Sequence, residues 1–124
     1  MSRILLVDDD RMSRKMAEMV IGKLGYEIVT VESGQMCLDT IAQDKNFDVI
    51  LLDVEMPEMS GIETLEKLRT QEPDLKTKVM FLSGAEEPDE VLSRTYLQPA
   101  GFVQKPFVPA KLKEKLESVL GGEN

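Results

Sequence analysis

The chain has 124 residues, 42% of them hydrophobic, which is enough for one packed domain and too few for two ordinary ones. Its net charge of −8 disfavours direct binding to DNA or to an anionic membrane and favours a cation or a protein as partner. With no histidine and a single cysteine, Cys37, it cannot form an internal disulfide, a Ser-His-Asp triad or a histidine metal site by itself.

Arg3–Val7 reads as a first strand that runs directly into Asp8-Asp9-Asp10. A helix follows over Ser13–Gly25, with Met12, Met16, Val20 and Leu24 at helical spacing and Gly25 as its stop. The same spacing places Met12, Met16 and Met19 in the core or at its edge. Glu27–Val31 is a second strand, and Ser33 caps a helix carrying Met36, Leu38 and Ile41. Asp48–Leu52 is a third strand, apolar without alternation, as a strand buried on both faces should be. Ser60 and Glu63 form a capping box for the next helix, which buries Ile62, Leu65 and Leu68 and ends by Pro73. Lys78–Leu82 is a fourth strand. Pro88 opens a short polar helix with Val91, Leu92 and Tyr96 inward, and Gly101–Gln104 is the fifth strand. Pro109 starts the last helix, striped by Leu112, Leu116, Val119 and Leu120.

Strand starts recur at the spacing of βα units, which predicts a (βα)5 domain: a five-stranded parallel sheet with helices on both faces. Residues 1–120 form that domain, and residues 121–124 are a tail or the stump of a linker. Four apolar runs then end in Asp8-Asp9, Asp53, Ser83-Gly84 and Lys105-Pro106. In a parallel sheet all four endings meet at one edge, where open α/β sheets bind ligands. Capping explains one aspartate after the first strand, and Asp10 is best placed for it. The crowding of Asp8 and Asp9 beside it needs a cation to offset their repulsion. Asp53 is a candidate nucleophile, able to form an aspartyl phosphate. Ser83 and the unobstructed Gly84 can cradle phosphoryl oxygens, and Pro106 makes Lys105-Pro106 a candidate cis peptide that aims the lysine.

Taken together, the Asp8-Asp9 pair, Asp53 within Asp-Val-Glu-Met-Pro-Glu-Met-Ser-Gly, Ser83-Gly84 and Lys105-Pro106-Phe107 resemble the receiver domain of two-component response regulators. The resemblance covers the whole chain. It implies the flavodoxin-like strand order 2-1-3-4-5 and a phosphorylation-dependent switch rather than a turnover enzyme. It makes Asp53 the phosphoacceptor. Mg²⁺ is implied on Asp9, Asp53 and the Glu55 backbone carbonyl, with Asp8 acting mainly through water. Lys105 and Ser83 are implied as phosphoryl contacts, and Ser83 movement repositions an aromatic residue, here Phe102. Glu55 and Ala85 fall where the phosphoryl lifetime is tuned. The implied partners are a histidine kinase or phosphotransfer protein and a downstream protein or output domain. These would be read through the face of the fourth helix, fifth strand and last helix, by a monomer or a weak phosphorylation-dependent dimer.

Two other readings use the same residues. A haloacid-dehalogenase-like phosphatase would employ Asp8 and Asp10 with Ser83 and Lys105, but leaves Asp53 without a role. A phosphorylation-independent adaptor leaves the whole acid, serine and lysine set unexplained. The lone cysteine and the short, interrupted N-terminal apolar run make the cytoplasm the expected location.

Overall fold

The structure is a computed structural model and describes residues 2–84 and 99–120. Strands β1 (Arg3–Val7), β2 (Glu27–Val31), β3 (Val49–Asp53), β4 (Lys78–Ser83) and β5 (Gly101–Gln104) form one parallel sheet in the order β2-β1-β3-β4-β5. Helices α1 (Arg11–Lys23), α2 (Gly34–Gln43) and α3 (Gly61–Gln71) and the C-terminal helix Pro109–Leu120 cover it. The helix expected after Pro88 and the tail at residues 121–124 lie outside the described residues.

Successive side chains of a strand point to opposite faces, so a continuous apolar run fills two cores. Leu5, Val7, Ile50, Leu52, Val79 and Phe81 face Cys37, Leu38 and Ile41 of α2 and Ile62, Leu65 and Leu68 of α3. Ile4, Leu6, Val49, Leu51, Met80 and Leu82 face Ala17 and Ile21 of α1 and Leu112, Leu116 and Val119 of the C-terminal helix. A side chain of this size contributes roughly 1.5–3 kcal/mol when fully buried, so the two layers dominate the stability.

The helix starts follow from local chemistry. Asp10 caps α1 by accepting from Met12 N–H, which moves the start two residues ahead of the expected Ser13. Gly25, at φ 90°, takes the left-handed conformation that closes the helix. Ser33 caps α2, and the Ser60–Glu63 capping box opens α3.

One expectation fails. Met12, Met16 and Met19 are 72%, 47% and 63% exposed, not core. The core side of α1 is held instead by Ala17 and Ile21, and Met36 on α2 is exposed as well. Ala17 and Ile21 turn one face of α1 to the sheet, and the three methionines lie around the helix from it.

Candidate functional site

Strand register sets the geometry. Val7 pairs with Leu52, Asp53 with Leu82, and Ser83 with Gln104. Asp8 and Asp53 therefore leave neighbouring strands level with one another, and Ser83 and Lys105 follow one and two residues further along the same carboxyl edge. The Lys105 N–H donates to the Ser83 carbonyl at 2.8 Å, which extends the β4–β5 pairing one residue to the lysine. The Lys105-Pro106 peptide bond is cis.

Asp8 is wholly buried. Its Oδ1 accepts from Asp10 N–H at 2.9 Å, and its carbonyl accepts from the Arg14 guanidinium at 2.8 Å. Its Oδ2 lies 2.7 Å from Lys105 Nζ as an ion pair, but the angles are not those of a hydrogen bond, and that buried oxygen has no hydrogen-bond partner. Asp53 is 3% exposed. Its Oδ1 accepts from Glu55 N–H at 3.1 Å, and its Oδ2 accepts from Lys105 Nζ at 3.1 Å. Asp9 is exposed beside them. Asp8, Asp9 and Asp53 each present a carboxylate oxygen, and the three oxygens lie within 4.8 Å of one another.

This arrangement is costly to ionise by itself. Burial pushes the Asp53 carboxyl up to about 7; Lys105 pulls it down, and the Asp8 charge pushes it up again. Burial alone would lower Lys105, but Asp8 and Asp53 outweigh it and hold the ammonium above its ordinary value. One lysine faces two buried carboxylates and an exposed third, so negative charge remains in excess. A hard divalent ion of the Mg²⁺ class fits such an all-oxygen donor set.

Asp10 does not join the cluster. Its Oδ1 accepts from Met12 N–H and its Oδ2 from the Ser13 hydroxyl, and those bonds hold its carboxyl below the usual range. The Asp8/Asp10 pair of the phosphatase reading is therefore not formed, because the second acid caps α1.

Ser83 is buried at the end of β4, and Gly84 after it is exposed. Among the described residues, a β-carbon built on Gly84 would meet no atom within 4 Å. Phe102 on β5 is half-buried and stacks on Phe81, ring centroids 6.2 Å apart. Glu55 is exposed at the rim, and Ala85 lies outside the described residues. Sequence reading missed Arg14. A cation one turn into a helix, just after an acid run, is the signal that would have found it.

The chain is similar to known proteins in sequence and in fold. A family model described as the response regulator receiver domain matches residues 4–117. A chemotaxis protein CheY homolog of Campylobacter jejuni is 29% identical over 120 residues, covering 96% of this chain and 92% of that protein. The solved structure of the chemotaxis protein CheY4 of Vibrio cholerae superposes with a TM-score of 0.87 at 32% identity, covering 97% of this chain and 99% of that one. The response regulator TrrA of Thermotoga maritima, solved in complex with Mg²⁺ and BeF, gives a TM-score of 0.83 at 33% identity, covering 97% of this chain and all of that one (100%). Sheet order, acid edge and family match agree, and the chain belongs to the response regulator receiver domains.

Proposed function

We propose that Asp53 accepts a phosphoryl group from the phosphohistidine of a histidine kinase or phosphotransfer protein. The observation that carries this reading is the Lys105 ammonium 3.1 Å from Asp53, beside three carboxylates whose oxygens lie within 4.8 Å of one another. An Asp53 oxygen attacks phosphorus in line, a P–O bond forms, the P–N bond breaks, and its electron pair stays on the donor imidazole. Lys105 meets the charge growing on the phosphoryl oxygens, and the Ser83 hydroxyl and the open backbone at Gly84 receive another of them. Glu55 and Ala85 stand in the reading as the residues that set the phosphoryl lifetime. Mg²⁺ on Asp8, Asp9, Asp53 and the Glu55 carbonyl would neutralise phosphoryl charge when bound. The TrrA structure with Mg²⁺ and BeF supports the assignment by likeness.

The product acts as a switch. New bonds from the phosphoryl group to Ser83 and Lys105 favour one of two packings of β4 and β5, with Phe102 as the side chain that moves. Taking such an equilibrium from mostly off to mostly on requires ~5 kcal/mol, within reach of a few charge-assisted hydrogen bonds. The output is a downstream protein or domain that reads the face around β5 and the C-terminal helix, in the cytoplasm. The protein is a switch with slow self-dephosphorylation, not a turnover enzyme.

The test is Mg²⁺-dependent labelling by a small phosphodonor such as phosphoramidate. Wild type should acquire an acid-stable, hydroxylamine-labile label, and Asp53→Asn should not. A label of the same kind persisting in Asp53→Asn ends the assignment.

A further inference from the structure

Arg14 follows three acids in the chain and pairs with none of them. Asp8, Asp9 and Asp10 lie four to six residues before it. Among the described residues its guanidinium nevertheless forms no ion pair, and donates instead to the neutral carbonyl of Asp8 at 2.8 Å. Asp8 stands just beyond the end of β1. Its N–H still reaches the Val31 carbonyl of β2 at 3.2 Å, but its own carbonyl is met by this side chain from α1 rather than by another strand.

The bond acts on one particular peptide. The Asp8 carbonyl and the Asp9 N–H belong to a single planar unit, so holding the carbonyl holds the plane from which the Asp9 α-carbon leaves. Asp9 is bracketed on its other side as well. The Asp10 N–H donates to Asp8 Oδ1 at 2.9 Å, and the Asp10 carbonyl accepts from the Arg14 N–H at 3.0 Å. Asp9 itself is exposed, and its carboxylate accepts no hydrogen bond among the described residues. The main chain on either side therefore sets its aim, which brings its oxygen within 4.8 Å of those of Asp8 and Asp53. An arginine bonded to one of these carboxylates would compete with a cation for it; an arginine bonded to the carbonyl does not.

We propose that Arg14 is a positioning residue for the cation site: it holds the Asp8–Asp9 peptide and so points the Asp9 carboxylate at Asp8 and Asp53, without occupying any of the three acids itself. The inference rests on the reading given above, in which this edge binds Mg²⁺ when Asp53 is phosphorylated. Two effects of the guanidinium oppose each other. Its hydrogen bond orders a ligand and raises affinity for the ion, while its charge repels the ion and lowers it. Groups that orient a metal ligand from behind commonly change metal affinity by roughly 10–100-fold. The repulsion comes from a half-buried group open to solvent screening and is the weaker of the two, so the bond decides the sign.

The experiment titrates the full chain with Mg²⁺ and follows the amide resonances of Asp9, Asp53 and Glu55 by NMR. Arg14→Met keeps the length of the side chain and removes donor and charge, whereas Arg14→Lys keeps a donor and the charge. Arg14→Met should bind Mg²⁺ about tenfold or more weakly, and Arg14→Lys should recover most of that loss. The same change is then made in Asp9→Asn, where a merely structural role would still show. There Arg14→Met should alter Mg²⁺ affinity by less than about twofold, because the group it aims is gone. Unchanged or tighter binding in Arg14→Met overturns the proposal, and so does an equal loss in the Asp9→Asn background. If Arg14→Met does not fold, Arg14→Lys decides alone: affinity within about threefold of wild type supports the proposal, and a loss as large as that of Asp9→Asn overturns it. Wild type that binds no Mg²⁺ would remove the function proposed at Asp53 and this inference with it, whereas bound Mg²⁺ indifferent to Arg14 removes the inference alone.

Discussion

Gly61 touches the backbone of Asp53. A β-carbon on Gly61 would lie 2.2 Å from the Asp53 carbonyl oxygen and 2.9 Å from Val54 Cα, closer than real β-carbons come. The Gly61 N–H donates to the Val54 carbonyl at 2.9 Å, so the first residue of α3 rests on the end of β3. The glycine is required by this approach rather than by an unusual φ. Through it, the helix start fixes the strand end from which the Asp53 carboxylate projects.

Gly61→Ala should therefore destabilise the protein by about 2–3 kcal/mol, since the obstructing atoms are backbone and cannot rotate away. Gly84→Ala is the comparison. It introduces no contact within 4 Å among the described residues and should stay within about 0.5 kcal/mol of wild type. Urea denaturation of both variants measures the difference, and equal midpoints would contradict the packing argument.

The acid edge gives the metal-free protein a defined pH dependence. The Asp53 carboxyl, near 3.9 in an unfolded chain, is pushed up to about 7 by burial and by Asp8 against the pull of Lys105. Between those values the folded state holds a proton that the unfolded state has released. Stability from this group is thus fully present below about pH 4 and is lost as pH rises through about 7. In EDTA, denaturant midpoints should fall from pH 5 to pH 8. Asp53→Asn should flatten that fall and stabilise the protein at pH 8 by roughly 1–2 kcal/mol. A wild-type curve parallel to that of the variant would remove the basis for the argument.

Most of this was legible in the sequence, for identifiable reasons. Unbroken apolar runs such as Val49–Leu52 announce strands covered on both faces, and the four polar endings announce a shared edge once the strands are taken as parallel. Ser60 with Glu63 and Asp10 before α1 are local signals, and both caps form. Periodicity failed at Met12, Met16 and Met19. It shows which residues share a stripe, but the stripe that meets the sheet was chosen by Ala17 and Ile21, one step around the helix. Contacts between distant residues left no local trace. Gly34 is required because a β-carbon there would meet Thr64 Oγ1 at 2.1 Å, and Thr77 is buried with its hydroxyl on the Phe47 carbonyl at 2.7 Å.

Lys105 occupies a position contested by a divalent cation. Its ammonium is 2.7 Å from Asp8 Oδ2 and 3.1 Å from Asp53 Oδ2, so it attracts both carboxylates and repels any positive ion they bind. Lys105→Ala should raise Mg²⁺ affinity by about three- to tenfold and lower phosphoryl transfer to Asp53. Isothermal titration with Mg²⁺ and labelling from phosphoramidate read the two effects separately. Weaker Mg²⁺ binding in the variant would show that the lysine supports the acid cluster instead of competing with the ion.

Arg3 fastens the opposite end of the sheet. Its guanidinium pairs with Glu27 on β2 and with Asp44 after α2, donates to the Asn46 carbonyl at 2.9 Å, and lies 4.3 Å over the Phe47 ring. Isolated exposed ion pairs contribute little, but here one planar fork joins three chain segments and covers an aromatic face. Arg3→Ala should lower the urea midpoint, and Arg3→Lys should recover less than half of the loss, because an ammonium cannot serve these partners and stack at once. The loss should shrink only partly in 1 M salt, since the stacking on Phe47 is not screened. Full rescue by lysine, or complete loss of the effect in salt, would reduce Arg3 to an ordinary surface charge. Mg²⁺ affinity at the far edge should be unchanged in both variants, as Arg3 and Asp53 stand at opposite ends of the strands.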